Sequence, residues 1–167
     1  MRDETDGLLE AWRRERPDLD AAPLAVLSRV TRLARHLDRE RRAAFAEHGL
    51  EAYEFDVLTA LRRAGPPYEL TPGQLVRETL VGSGTMTNRL DRLEARGLIE
   101  RRPDPQDGRA RRIRLADQGR DRADDAVADL LDRERQLLAG LSEPDRDRLA
   151  RLLRTVLVNF ESRGPDG

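Results

Sequence analysis

The chain has 167 residues, the length of one domain; 38% are hydrophobic and 38% charged, every base is an arginine, and the net charge is -1. No stretch approaches the roughly 18 apolar residues of a membrane-spanning helix, cysteine is absent, and His36 and His48 are the only histidines. We therefore expect a soluble, cytoplasmic protein with no disulfide, thiolate chemistry, metal or other cofactor and, since residues 1–16 mix acids with bases, no signal peptide.

The N-terminal part of the chain is predicted to be helical. Apolar residues including Trp12 recur at helical spacing over residues 5–16, which indicates a short amphipathic helix ended by two prolines. A long helix then runs from Leu24 to about His48, where Gly49 suits the position just past a helix end. Its apolar residues keep a heptad-like spacing, typical of a seam between helices. They are Val26, Val30, Leu33, Leu37 and Ala44.

A helix from about Glu51 is followed by two short helices around a turn that contains glycine. Thr71, with the proline after it, is a typical cap, and the apolar face of the helix that it opens consists of Leu75, Val76 and Leu80. After the turn, Ser83 is predicted to cap the next helix, which Gly97 ends. Two short helices in this arrangement are typical of a helix-turn-helix motif.

A β-hairpin and two further helices complete the predicted elements. Residues 98–102 and 110–115 read as strands across a turn rich in proline, aspartate, glycine and arginine. A helix follows over residues 117–140, and Ser142 is predicted to cap the last one. Its apolar stripe consists of Leu149, Leu152, Leu153, Val156, Leu157 and Phe160.

Positive charge is concentrated on the helix-turn-helix and the hairpin. Residues 71–114 carry ten arginines and six acids, net +4, between acidic segments. Such a patch attracts phosphate even at near-zero net charge, although the alternative is a chance fluctuation in an arginine-rich chain. On a helical wheel, residues 83–97 have an apolar side and an opposite polar side, which is either a solvated face or one that bonds base edges and phosphate. The two sides are Met86, Leu90 and Leu93, and Thr85, Asn88 and Arg92.

Two charged residues lie beside apolar neighbours. Arg89 is about 65° from the centre of the apolar side, so it is predicted to point toward the protein body. There it needs a carboxylate or an anion, because a buried unpaired charge is costly. Asp56 lies in the middle of the third helix among apolar residues. Either a structural pair with an arginine or a ligand site would account for Asp56.

Three motifs in the second half of the chain resemble the MarR family of winged-helix regulators. They are Ser83 to Ile99, Arg101 to Arg109 and Leu115 to Gly119. The resemblance spans roughly residues 24–162, and the Asp-Gly-Arg element of the hairpin is its fairly specific part. The sequence departs from the common pattern at Gly108, where arginine is frequent, and at Ala116, where threonine is frequent.

The resemblance implies that double-stranded DNA and a second copy of the chain are the partners. The homodimer would be built from the N- and C-terminal helices, in agreement with their apolar seams. The second helix of the motif would lie in the major groove and Arg109 would enter the minor groove, while Asp107 would orient the wing by pairing with Arg101 or Arg111. The residues predicted to contact DNA are Thr71, Ser83, Thr85, Thr87, Asn88, Arg92, Arg109 and Arg111.

The predicted fold class is mainly α with a small β-hairpin wing (α+β). A winged helix-turn-helix domain is flanked by N- and C-terminal dimerisation helices, all within one compact domain. The expected segments are an extra N-terminal helix and linker (1–23), a dimerisation helix (24–50), the winged helix-turn-helix DNA-binding region (51–115) and the C-terminal dimerisation helices (116–167).

The sequence is also similar to the urate-responsive branch of the family. The positions that match its ligand-linked residues are Trp12, Asp56, Arg89 and Arg101. A planar anion could stack on Trp12 and pair with Arg89. Movement of Arg89 would then tilt the recognition helix, which is the second helix of the helix-turn-helix motif. The alternative for Trp12 is a hydrophobic anchor of its own helix. Some relatives with this constellation respond to citrate-like carboxylates, so a urate-like or a carboxylate effector is expected.

The leading functional hypothesis is a ligand-responsive repressor on a pseudo-palindromic site, associated with the nucleoid. The alternative is an architectural DNA-binding protein without a ligand, against which the acidic flanks argue. An enzyme is not expected, because the sequence lacks a nucleophilic cysteine, a metal-ligand cluster, a phosphate loop and a Ser/His/Asp set. Thiol oxidation as the signal is excluded by the absence of cysteine.

Overall fold

The computed structural model describes residues 2–104 and 111–161. The chain divides into two compact units, residues 1–126 and 127–167. Within the described ranges no helix is both long and apolar enough to cross a membrane. In chain order the elements are α1 (Glu4–Glu15), α2 (Ala22–Glu47), α3 (Ala52–Arg63), β1 (Glu69–Leu70), α4 (Pro72–Thr79), α5 (Ser83–Ala95), β2 (Ile99–Pro103), β3 (Arg111–Leu115), α6 (Asp117–Leu137) and α7 (Glu143–Glu161).

Most helix ends lie where the predicted caps place them. Gly49 and Gly97 have φ angles of 65° and 67°, the left-handed conformation in which glycine ends a helix at little cost. Thr71 caps α4, since its hydroxyl oxygen accepts the backbone N–H of Gln74 at 3.2 Å. The prediction that Ser83 caps α5 is wrong by one residue. Gly82 occupies the cap position without a side-chain bond, and Ser83 begins the helix.

The prediction that Leu80 lies on the apolar face of α4 is wrong. The helix ends at Thr79, and Leu80 takes a left-handed conformation with φ 54° that leads the chain into the turn. Its side chain is consequently 92% exposed, whereas Leu75 on the same predicted face is fully buried. Helical periodicity predicted one residue too many for this face, because nothing between Thr79 and Leu80 in the sequence marks the end of α4.

The predicted hairpin is confirmed, and a third short strand joins it. Strands β2 and β3 are antiparallel, from Ile99 opposite Leu115 to Pro103 opposite Arg111. Strand β1 pairs with the other edge of β3, which gives the order β1-β3-β2. Two residues are too few to show an alternating pattern, so β1 could not be predicted from the sequence.

The core of the first unit lies between the helix-turn-helix, α3 and the sheet. Burial of such side chains contributes about 1.5–3 kcal/mol each relative to full exposure. The apolar side predicted for α5 is confirmed, since its three residues are all in this core. The largest fully buried apolar side chains include Leu58, Leu61, Leu75, Met86, Leu90, Leu93, Leu98, Ile99 and Ile113.

One predicted apolar stripe and the first part of another are exposed in the single chain. On α2, Val26, Val30 and Leu33 are each more than 40% exposed, whereas Leu37 is half-buried and Ala44 is fully buried. On α7, in the second unit, every residue of the predicted stripe is exposed as well. Apolar surface of this extent is available for association with another surface.

Candidate functional site

Short polar side chains and one arginine cover the outer face of α5. Ser83, Thr85, Thr87, Asn88 and Arg92 are all exposed, and Thr85, Asn88 and Arg92 lie opposite the buried Met86–Leu90–Leu93 side. The hydroxyl of Thr87 donates to the carbonyl of Ser83 at 3.3 Å. The face therefore offers amide, hydroxyl and guanidinium groups of the kinds that bond base edges and phosphate.

The first strand of the hairpin is tied to α5 through Arg101. Its guanidinium donates to the carboxylates of Asp91 at 2.5 Å and Glu94 at 2.6 Å. The hydrogen bond that Arg101 donates to Asp91, together with the charges of both carboxylates, raises the pKa of Arg101 above its ordinary value. Since these two residues lie on α5, Arg101 holds the hairpin against that helix.

The predicted wing tip lies mostly outside the described residues. Asp107, Gly108 and Arg109 are all there, and Arg111, the first residue of β3, is exposed. Asp104, directly after β2, is 9% exposed, and its carboxylate accepts a hydrogen bond from Nε of Arg112 at 2.9 Å. Acids and arginines are frequent in this part of the sequence, and no pattern in it predicted that Asp104 and Arg112 would pair.

Asp56 and Arg89 line one pocket between α2, α3 and α5. Its volume is about 600 Å³, and a pair between Asp38 and Arg42, 2.9 Å apart, lies on its α2 side. Arg89 is half-buried, and its guanidinium carbon lies 5.2 Å from the ring centre of Tyr53. Arg89 thus points toward the protein body, as predicted, and there it meets an aromatic face as well as the charge of Asp56.

The environment of Asp56 favours its neutral form more than water does. Loss of solvation raises the pKa of its carboxyl, although the residue is exposed in the single chain, and the charges of Arg89, Arg63 and Arg41 oppose that rise. Arg63 and Arg41 were not predicted as site residues. Arg63 follows Asp56 by seven residues, two helical turns, so a face-by-face reading of α3 would have found it.

The structure brings together only two of the four predicted ligand residues. Trp12 lies on α1, is 44% exposed and is not among the residues that line the pocket. Arg101 is outside the pocket too, bound to Asp91 and Glu94. Asp56 and Arg89 are the two predicted ligand residues that line the pocket, one as a carboxylate and the other as a guanidinium.

The helix that carries Trp12 is held to α2 by charged contacts. The Asp3 carboxylate accepts the backbone N–H groups of Thr5 and Asp6 and so caps α1. Arg29 on α2 donates to Asp3 at 2.8 Å and to Asp6 at 2.6 Å. The hydrogen bond from Arg29 holds the pKa of Asp3 below its ordinary value of 3.8. The pKa of Asp6 is lowered as well, mainly by the hydrogen bond from the backbone N–H of Asp3 and next by the one from Arg29.

We expect acid to release α1 from α2. Because both pKa values are lowered in the folded chain, the Arg29 contacts stabilise it above the ordinary value of 3.8 and lose this effect as the pH falls through the lowered values. Emission from Trp12, the only tryptophan, should therefore shift below about pH 4 while far-UV circular dichroism is retained. In Arg29→Gln the shifted emission should be present at pH 7. Coincident emission and dichroism transitions, unchanged in the variant, would contradict this expectation.

Sequence comparison with known proteins finds one matching family and relatives that are transcriptional regulators. A model of the MarR family matches residues 48–110. The transcriptional regulator PecS of Dickeya dadantii is 38% identical over 159 residues, which cover 93% of this chain and 96% of PecS. The transcriptional repressor NicR of Pseudomonas putida is 27% identical over 150 residues, 87% of this chain and 93% of NicR.

Solved structures agree with the fold described above. The structure of a MarR family protein from Bacillus stearothermophilus matches 86% of this chain and 99% of its own, with a TM-score of 0.72 and 23% identity. At that identity the match shows the fold alone. The matches to PecS and NicR are to transcriptional regulators rather than enzymes.

Proposed function

The chain belongs to the MarR family of winged-helix transcriptional regulators, and we propose that it is a ligand-responsive repressor released from DNA by a small anionic effector, either urate-like or a carboxylate. It binds pseudo-palindromic double-stranded DNA as a homodimer, with half-sites about one helical turn apart. The exposed face of α5 lies in the major groove. Arg109 is retained in this proposal as the minor-groove contact and Asp107 as the residue that orients the wing.

One observation carries the regulatory part of the proposal. Arg89 lies on the same helix as the exposed Asn88 and Arg92, yet it lines the pocket together with Asp56. An anion in the pocket would pair with Arg89 and repel the Asp56 carboxylate, so occupancy acts directly on the recognition helix. The coupling free energy expected for such a two-site system is on the order of 1–3 kcal/mol.

The homodimer is supported by the exposed part of the apolar stripe on α2 and by the exposed stripe on α7. One stripe is on the second helix of the chain and the other is on the last, so neither belongs to α5 with its polar face. Self-association would bury them and place two recognition helices on one DNA duplex. Analytical ultracentrifugation at micromolar concentration should therefore give twice the chain mass of 19.0 kDa.

Substitutions on α5 should separate effector response from DNA binding. With DNA selected in vitro from a random pool, fluorescence anisotropy should show that urate or citrate weakens binding of the wild-type protein. Arg89→Ala should bind the DNA within a few-fold of wild type but lose most of this response, because the contact with the effector is gone. Arg92→Ala is the matched control, which should bind DNA more weakly and still respond.

Two results would contradict the proposal. An intact response in Arg89→Ala, with a loss of affinity equal to that of Arg92→Ala, would place Arg89 in the DNA contact instead of the pocket. Equal affinity of the wild-type protein for selected and random DNA at one salt concentration would favour the architectural alternative.

A further inference from the structure

Arg96, directly after α5, binds the chain on both sides of one wall of the pocket. Its guanidinium donates to the carbonyl of Gly49 at 2.7 Å and to the carboxylate of Glu54. The four residues between these two acceptors, 50–53, all line the pocket. We call residues 50–53 the pocket wall and the two contacts of Arg96 the Arg96 clamp.

The carboxylate of Glu54 joins the clamp to the pocket wall itself. The oxygen that accepts from Arg96 also accepts the backbone N–H of Glu51 at 3.0 Å, and the other oxygen accepts the hydroxyl of Tyr53 at 3.4 Å. Glu54 is 1% exposed, and hydrogen bonds to a buried charge are stronger than those in water. A displacement of the wall therefore acts on Arg96.

Arg96 is in turn fixed to the recognition helix. Its backbone N–H donates to the carbonyl of Arg92 at 3.1 Å, in the last turn of α5. Arg89, which lines the pocket, precedes Arg96 by seven residues, so the two lie within about 20° of each other around the helix and about 10 Å apart along it. Two supports on one side of a helix, separated by this length, determine its tilt.

We propose that the Arg96 clamp is the positioning contact that transmits occupancy of the pocket to the recognition helix. A compound in the pocket displaces the pocket wall, and the clamp carries this displacement to the end of α5 while Arg89 pairs with the compound. The two supports then move by different amounts, so α5 tilts together with the exposed Arg92. This inference rests on the proposed function for its effector part, whereas the clamp exists without any effector.

The release of DNA by urate or citrate tests the transmission. In Arg96→Lys an amine keeps a positive charge near Glu54 but lacks the planar fork that reaches both acceptors. Calorimetric titration should show that the variant binds the compound within about twofold of wild type, while the weakening of DNA binding by that compound falls below about twofold. A purely structural role of Arg96 would lower DNA affinity equally with and without the compound and would leave this ratio unchanged.

Two further variants complete the test. Arg62→Lys is the matched control, because Arg62 also joins α3 to another helix, through Asp124 at 2.8 Å, and its side chain is 39% exposed against 38% for Arg96. It should retain full release. Glu54→Gln removes the charge from the clamp and should lose release as Arg96→Lys does, so the test does not depend on the folding of one variant. Full release from either clamp variant, or an equal loss in Arg62→Lys, would overturn the inference.

Hydrogen exchange without any effector separates the clamp from the proposed function. The reporters are the backbone N–H groups of Glu51, which is bonded to Glu54, and of Gly97, which is bonded within the last turn of α5 at 2.9 Å. In Arg96→Lys both should exchange about fivefold faster, and in Arg62→Lys neither should change. Unchanged exchange at either reporter in Arg96→Lys would show that Arg96 does not join the wall to α5 and would also overturn the inference. If the wild-type protein responds to neither compound, the effector part fails with the proposed function, and the two reporters still decide whether the clamp holds.

Discussion

Gly119→Ala should destabilise the folded protein by about 3 kcal/mol, because α6 begins with its backbone against the sheet. A β-carbon at position 119 would lie 2.1 Å from the carbonyl oxygen of Leu98 and 2.9 Å from its carbonyl carbon. Leu98 is fully buried, and its carbonyl accepts the backbone N–H of Ala116 at 3.1 Å. The chain can relieve the clash only by moving α6 or by breaking this hydrogen bond.

Thermal unfolding at a fixed protein concentration should show this loss as a Tm lower by about 10 °C. Gly73→Ala is the matched control, since Gly73 also lies near the start of a helix and the nearest atom to its added carbon is the flexible end of Arg77 at 4.0 Å. This variant should be neutral or up to about 1 kcal/mol more stable, because alanine favours helix. A common Tm for the two variants would mean that α6 shifts without cost.

The sequence predicted the fold well where local chemistry alone decides it. Thr71 and Gly97 mark helix ends through hydrogen bonding and backbone freedom, and both lie at ends in the structure. The prediction for Leu80 was wrong because the end of α4 depends on how the turn meets α5. Strand β1 was missed because two residues form a strand only when β3 is already beside them.

Prediction of the site was less complete, since it depends on contacts far apart in the chain. The helical wheel of residues 83–97 predicted that Arg89 points toward the protein body. This prediction needed only one helix, because the direction of a side chain around a helix follows from its place in the sequence. Its neighbour Tyr53 comes from α3, and no periodicity could select it. Arg101 was assigned to the ligand from a motif position, but a nearby pair of carboxylates on α5 binds it. Where acids and arginines are this frequent, spacing does not identify which pairs form.

Arg96→Met should be destabilising by about 3 kcal/mol, because it leaves a buried carboxylate without its cation. Glu54 is 1% exposed, and besides Arg96 it accepts the backbone N–H of Glu51 at 3.0 Å. Methionine fills much of the arginine volume but offers no donor, so the cost of burying the Glu54 charge is no longer offset. Glu54→Gln should cost less, since the Arg96 side chain is 38% exposed and can be solvated.

Chemical denaturation of the two single variants and the double variant separates charge from packing. The double variant, Glu54→Gln with Arg96→Met, should be more stable than Arg96→Met alone, because the neutral amide has a smaller desolvation cost. Arg102→Met is the matched control at an exposed pair with Glu100, where the loss should stay within about 0.5 kcal/mol. A double variant less stable than Arg96→Met would show that the unpaired charge of Glu54 is not what destabilises Arg96→Met.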